Sequence, residues 1–335
     1  MTTSRLRMPS GRAISLHEAR SLGVSRRQWD KPSRTRLTRT VRSAEPLITL
    51  PEMAAGFALA MPGPFAFSHL TALVLHGLPL PEAYVEGPPL HVLRPSGHGR
   101  IERHGCVGHR GMERREIVTR CGVPVTGLAD TWVDLGELAN PALTRDDLTV
   151  VGDAALLAFE LPLITAPDGT PEFDAQLAEL AVADWERARG MTMPSSYDIG
   201  VAALAEALAR RNRPRGALLL REALGMIRPR VRSPMETRTR LMFVAAGLPE
   251  PETGGEVTVA GGWRGEFDLV WREGKVIAEY QGAPHGSLRS RRSDRDKFRL
   301  VKDEEWRVFE VYAQDVYNPA ARADLIRRIR AALES

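Results

Sequence analysis

The stretch from Trp263 to Gly282 constrains the fold more than any other part of the chain. Phe267, Leu269 and Trp271 alternate with Glu266, Asp268 and Val270, and Val276 to Tyr280 is a second apolar run beyond Glu273-Gly274-Lys275. Period-two alternation, a short polar turn and a second strand-like run predict a β-hairpin. The hairpin places Asp268 and Glu279 on adjacent paired strands, in apolar surroundings. Burying an unpaired carboxylate is expensive, and two that face each other repel. A divalent cation relieves both problems. Mg²⁺ is held by one or two protein carboxylates, with water and phosphate oxygens completing its shell. Such a site can carry out metal-assisted phosphodiester hydrolysis.

The flanking segments extend this reading. Ser233 followed by Pro234 and Glu236 predicts a helix over 233–246, with Ser233 as N-cap and Glu236 completing a capping box. Strands are predicted near 256–260, 265–271 and 275–281, then a helix at 293–303, a strand at 306–312 and a helix at 319–333. That order describes a mixed sheet with helices on both faces. The connection after Gln281 carries His285 and the crowded Arg289, Arg291, Arg292 and Arg295, a phosphate-binding composition. Asp294 suits the first turn of the following helix, where the dipole favours an acid.

Asp268 followed by Glu279-Tyr280-Gln281 resembles the PD-(D/E)XK nuclease motif. The whole segment from Ser233 to about Leu333 resembles the endonuclease domain related to very-short-patch repair enzymes, as found in actinobacterial proteins. The matching pieces run in order through Glu236, Asp268, Glu279, His285, Asp294, Lys297 and the Trp306 strand. The resemblance implies a restriction-endonuclease-like α/β fold and DNA as substrate. It also implies Mg²⁺ (or Mn²⁺) held by Glu236, Asp268 and Glu279. Gln281 is a departure, because many such nucleases have lysine there. A neutral amide can hold a water but supplies no charge, so Lys297 is the replacement cation and His285 a general base or phosphate ligand.

Residues 1–50 are strongly basic. Ser15 caps a short helix with Glu18 completing its capping box, Gly23 makes a turn, and Ser25 caps a second helix that opens with Arg26 and Arg27. Helix, glycine turn and a second helix with arginines at its start form the helix-turn-helix pattern, in which that end reaches base edges. Arg34 to Leu50 would form a basic wing. The stretch resembles the winged-helix module at the N-terminus of abortive-infection-type antitoxins, which implies DNA contact through Arg26 and Arg27.

Residues 51–135 form an α+β unit and 136–230 a mainly helical connector, leaving 231–335 for the nuclease-like domain. In the α+β unit, helices are predicted over 52–60 and 67–77, the second with Leu70, Leu73 and Val74 as its buried stripe. A strand follows at 90–93, then a basic hairpin over 98–109, strands at 117–118 and 123–125, and a helix from Thr126. In the connector, helices are predicted over 145–159, 171–189, 196–211 and 216–224. The arginines of 210–215 and 228–232 would track a phosphate backbone. His69, His76, His91, His98, His104 and His109 invite a metal hypothesis, but their spacings fit no compact site, and polar-surface or helix-face positions are the better reading.

The 335 residues are 43% hydrophobic and 26% charged, values of a soluble globular protein. No apolar run suits a membrane span and no signal peptide is evident. Cys106 and Cys121 are not at metal spacing and suggest a reducing cytoplasm. The leading expectation is a metal-dependent DNA endonuclease or nickase. The alternative is a non-catalytic DNA-binding regulator of the antitoxin type, and the helical connector is a possible protein-docking region.

Overall fold

The computed structural model describes residues 12–335 apart from 48, 86, 139–142, 161–163, 166–170, 173–195, 260–261 and 283–297. The chain is mixed α/β and divides into two units. One comprises Met1–Thr144, Ala158–Met193 and Ala202–Arg221, and the other Arg145–Leu157, Pro194–Val201 and Glu222–Ser335.

The first unit begins with β1 (Ala13–Ser15), α1 (Leu16–Ser21), α2 (Arg26–Trp29), β2 (Thr35–Arg36) and β3 (Val41–Ser43). The three strands form an antiparallel sheet in the order β1-β3-β2. Ser15 caps α1 through the Glu18 amide, but the Glu18 carboxylate pairs with Arg12 rather than closing the box. At α2 the capping box of Ser25 and Gln28 is complete. Ile14, Ala19, Val24 and Trp29 form the small core. Arg42 lies 5.2 Å over the Trp29 ring and donates to Trp29 O (3.2 Å) and Asp30 Oδ1 (3.2 Å), so this arginine is structural.

Next come α3 (Leu50–Ala58), β4 (Ala66–Phe67), α4 (His69–Leu75), β5 (Leu90–Arg94), β6 (Cys106–Arg110), β7 (Ile117–Arg120), β8 (Val123–Thr126) and α5 (Leu128–Asp134). Their sheet has the order β6-β5-β4-β8-β7. The expected hairpin over 98–109 is not formed: β6 pairs with β5 in parallel, His91 opposite Val107 and Leu93 opposite His109. The expected helix from Phe67 starts two residues later, because Ala66 and Phe67 belong to the sheet. Leu70 and Leu73 are buried as expected, whereas Val74 is only half-buried. Asp130 and Asp134, both buried, bind Arg115, Arg210 and Arg211 at 2.7–3.2 Å. Arg210 and Arg211 are therefore partners of buried carboxylates rather than a phosphate track.

The second unit holds β11 (Glu252–Thr258), β12 (Arg264–Trp271), β13 (Val276–Tyr280) and β14 (Arg307–Val311), paired in sequence order. Two short strands of the first unit, β9 (Ile164–Thr165) and β10 (Pro171–Glu172), pair with each other. The first three of these four strands are antiparallel and β14 runs parallel to β13. Before them runs a helix over Pro234–Ala245, and after them helices over Ala313–Tyr317 and Pro319–Leu333. Phe243, Leu269, Trp271, Val276, Ala278, Val311, Leu325 and Ile329 form one core layer. Val257, Phe267, Val270, Ile277 and Val301 form a second, packed by Phe298, Trp306 and Val308. Residues 298–302 are helical, while the rest of the helix expected over 293–303 lies outside the described residues. So does most of the helix expected over 171–189, of which Pro171–Glu172 is strand.

The strand alternation departs from the expected pattern at one place. Leu269 and Trp271 share a layer, but Phe267 packs with Val270 in the other. The change of phase falls on Asp268. On one side, Gly254 opposes it with φ +55° and the bridges skip that pair. On the other side, the bridges to β13 end at Leu269 and Ala278.

Candidate metal site in the second unit

Asp268 and Glu279 meet where the β12–β13 ladder has just ended. Asp268 Oδ2 accepts the Tyr280 N–H at 2.7 Å, and Glu279 Oε2 accepts the Asp268 N–H at 3.1 Å. Each carboxylate thus takes the place of a strand partner and keeps its neighbour's amide satisfied. Both side chains are half-buried. The strand opening depends on Gly254: a Cβ there would lie 2.6 Å from Arg230 Cβ and 2.8 Å from Arg230 O. With its left-handed φ as well, Gly254→Ala is expected to destabilise the second unit by about 2 kcal/mol. Urea unfolding measures this; an unchanged midpoint would mean that the kink relaxes freely.

Glu236 lies in the first turn of Pro234–Ala245. Its N–H donates to Ser233 Oγ (3.2 Å), and its carboxylate accepts the Arg232 N–H (2.9 Å), one residue further back than the capping box expected. Burial raises the Glu236 carboxyl above its usual range, against the hydrogen bonds from Arg232 and Ser233, and the Glu279 charge raises it further. Glu236 and Glu279 thus share one electrostatic environment. The three carboxylates do not close to metal-ligand contact, however. Among the described residues, only His69, His91 and His109 bring one ligand atom each within 4.8 Å of one another.

Gln281 follows β13, half-buried, with its N–H on Val311 O at 2.7 Å. His285, Arg289, Arg291, Arg292, Asp294, Arg295 and Lys297 lie outside the described residues. Of the arginines leading into this unit, Arg228 pairs with Glu250 and Arg232 with Glu266, each at 2.7 Å. Arg26 and Arg27 are exposed at the start of α2, Arg26 reaching Asp30 at 3.7 Å.

The histidine cluster is the feature that the sequence spacings hid. His69 and His91 are buried and the His109 side chain is 12% exposed. The His69 and His109 rings stack at 3.7 Å between centroids, and each lies 5.2 Å from the His91 ring. His91 Nδ1 and His109 Nε2 are 2.9 Å apart. Burial first, then the neighbouring imidazoles, push His91 down to about 2. Burial also lowers His109, opposed by its contact with Glu137. His76, by contrast, is engaged on Thr126 O at 2.7 Å and takes no part.

No family model matches the chain, and no solved structure matches it. Two proteins of Mycobacterium tuberculosis, the uncharacterized proteins MT2308 and Rv2248, are each 26% identical to it over 117 residues. The match covers 35% of this chain and 43% of each relative, so the chain spans less than half the length of the curated relatives it matches. No helix among the described residues is long and apolar enough to cross a membrane.

Proposed function

We propose that the chain is a metal-dependent DNA endonuclease or nickase whose second unit has a restriction-endonuclease-like core. The supporting observation is the Asp268–Glu279 pair, two carboxylates set at an interrupted ladder of a mixed sheet and joined through each other's strand amides. The donor set fits a hard cation such as Mg²⁺ or Mn²⁺, which takes oxygen ligands and needs only one or two carboxylates from the protein. Asp268 and Glu279 would hold the ion, with Glu236 as the third carboxylate that the resemblance implies. When bound, Mg²⁺ supplies charge for the scissile phosphate and a water of lowered pKa. Gln281 would position that water by hydrogen bonding, with Lys297 and His285 as the cation and base that the resemblance implies. Arg289, Arg291, Arg292 and Arg295 would contact phosphates.

A second reading, a DNA-binding regulator of the antitoxin type, is favoured by one observation: Glu236, Asp268 and Glu279 do not all come within ligand distance of one another. Supercoiled plasmid with Mg²⁺ or Mn²⁺ separates the two. Nicking or linearisation lost on chelation supports the nuclease. A salt-dependent mobility shift without cleavage supports the regulator. Under either reading, Arg26→Ala with Arg27→Ala is expected to weaken DNA binding and flatten its salt slope by about one unit per lost phosphate contact. An unchanged slope would remove the first unit's α2 from the DNA interface.

A further inference from the structure

We propose that His69, His91 and His109 form a binding site for a zinc-class transition-metal ion, distinct in donors and place from the Asp268–Glu279 pair. Donor chemistry is the first argument. Three imidazoles suit Zn²⁺, Co²⁺, Ni²⁺ or Cu²⁺, whereas Mg²⁺ takes oxygen ligands. Geometry is the second. A tetrahedral ion with Zn–N of about 2.0–2.1 Å sets its ligand atoms roughly 3.3 Å apart. His91 Nδ1 and His109 Nε2 stand at 2.9 Å, and all three residues keep one ligand atom within 4.8 Å of the others.

His69 supplies the independent observation. Its side chain is fully buried; Nδ1 meets Ser68 Oγ at 2.9 Å, and Nε2 has no partner at hydrogen-bond distance, with Glu137 Oε2 at 3.6 Å. The residue is also held at φ +52°. A buried, unsatisfied ring nitrogen and a left-handed backbone at a non-glycine residue are both unfavourable. A bound ion gives His69 the bond that the protein alone does not provide. Nothing in the local sequence otherwise asks for this conformation.

The surroundings are those of a metal site. His91 lies on β5, His109 on the edge strand β6, and His69 opens α4, so the donors stand on three packed elements. Glu137 Oε2 lies 3.5 Å from His109 Nδ1, on the ring edge away from His91, and 3.6 Å from His69 Nε2. A carboxylate behind a ligating histidine fixes its tautomer and raises its basicity. Glu137 is in turn 3.5 Å from Arg115, which is anchored on Asp134 at 2.7 Å. The ion would fasten the edge strand to β5 and α4, with a water completing its shell.

The test is metal uptake by the full chain after stripping with a strong chelator. Addition of Co²⁺ is expected to give the visible bands of a tetrahedral site at one equivalent, displaced by one equivalent of Zn²⁺. His109→Gln, at the sheet edge, and His91→Ala are each expected to lower affinity by at least ~100-fold, and Glu137→Gln by roughly 10–100-fold. Asp268→Asn combined with Glu279→Gln is expected to leave uptake unchanged, which separates this site from the proposed nuclease centre. Zn²⁺ is also expected to raise the unfolding temperature of the wild type but not of His109→Gln. The proposal is overturned if the wild type takes up no Co²⁺ or Zn²⁺ at micromolar concentrations. It is equally overturned if His109→Gln, shown to be folded by circular dichroism, binds as the wild type does, or if uptake is lost with the carboxylates instead.

Discussion

If the proposed nuclease reading holds, Asp268→Asn and Glu279→Gln are each expected to lower Mg²⁺-dependent plasmid cleavage on the order of 10³-fold while leaving the fold intact. The amides are close in shape to the carboxylates and retain an acceptor oxygen for the Tyr280 and Asp268 N–H groups. What they remove is charge at the place where a cation would sit. Metal stabilisation of a phosphoryl transition state is worth several kcal/mol, and about 4 kcal/mol corresponds to three decades in rate. The double variant is expected to be little worse than either single one, since the two groups serve the same ion. Glu236→Gln is expected to cost only about tenfold, because its carboxylate already accepts the Arg232 N–H. Gel quantification of supercoiled, nicked and linear plasmid measures all four variants. Full cleavage by either single variant would remove the pair from the chemistry.

Much of the second unit was legible because its signals are local. Ser233, Pro234 and the 264–280 alternation placed a helix start and a hairpin close to where they occur. The shift of Phe267 to the opposite layer was not legible, because it depends on a left-handed Gly254 across the sheet. The Glu236 reach to Arg232 in place of Ser233 is likewise a matter of one turn's detailed geometry. In the first unit the capped helices could be read, but the parallel pairing of β5 with β6 could not. That pairing sets His91 and His109 two residues out of register on neighbouring strands, and the backbone turn at His69 brings in the third ring. No spacing rule for a compact metal motif describes ligands assembled this way. A buried polar segment such as Ser68-His69 at a strand end was the available hint.

Arg240→Met is expected to destabilise the second unit by about 3–5 kcal/mol, the range for stripping one partner from a buried ion pair. Arg240 is fully buried and donates to Glu250 Oε1 (2.7 Å), Met226 O (2.6 Å) and Asp153 Oδ2 (3.4 Å). Asp153, itself buried, also accepts from Thr237 Oγ1 and the Arg228 N–H, both at 2.8 Å. Burial pushes the Asp153 carboxyl up from 3.8 to about 6, even with the Arg240 charge pulling it down. The sign follows from that direction. The folded protein holds the proton more tightly than the unfolded chain, so this group's contribution is full below about 3.8 and lost as pH rises through about 6. Without Arg240 the folded carboxyl rises further, and the extra loss appears only where Asp153 would ionise. Chemical unfolding should therefore show a larger deficit for Arg240→Met at pH 8 than at pH 5, and Asp153→Asn in the same chain should recover part of the deficit at pH 8. A deficit equal at both pH values, untouched by Asp153→Asn, would mean that Arg240 holds the unit by packing and by its bonds to Met226 and Glu250 rather than by neutralising Asp153.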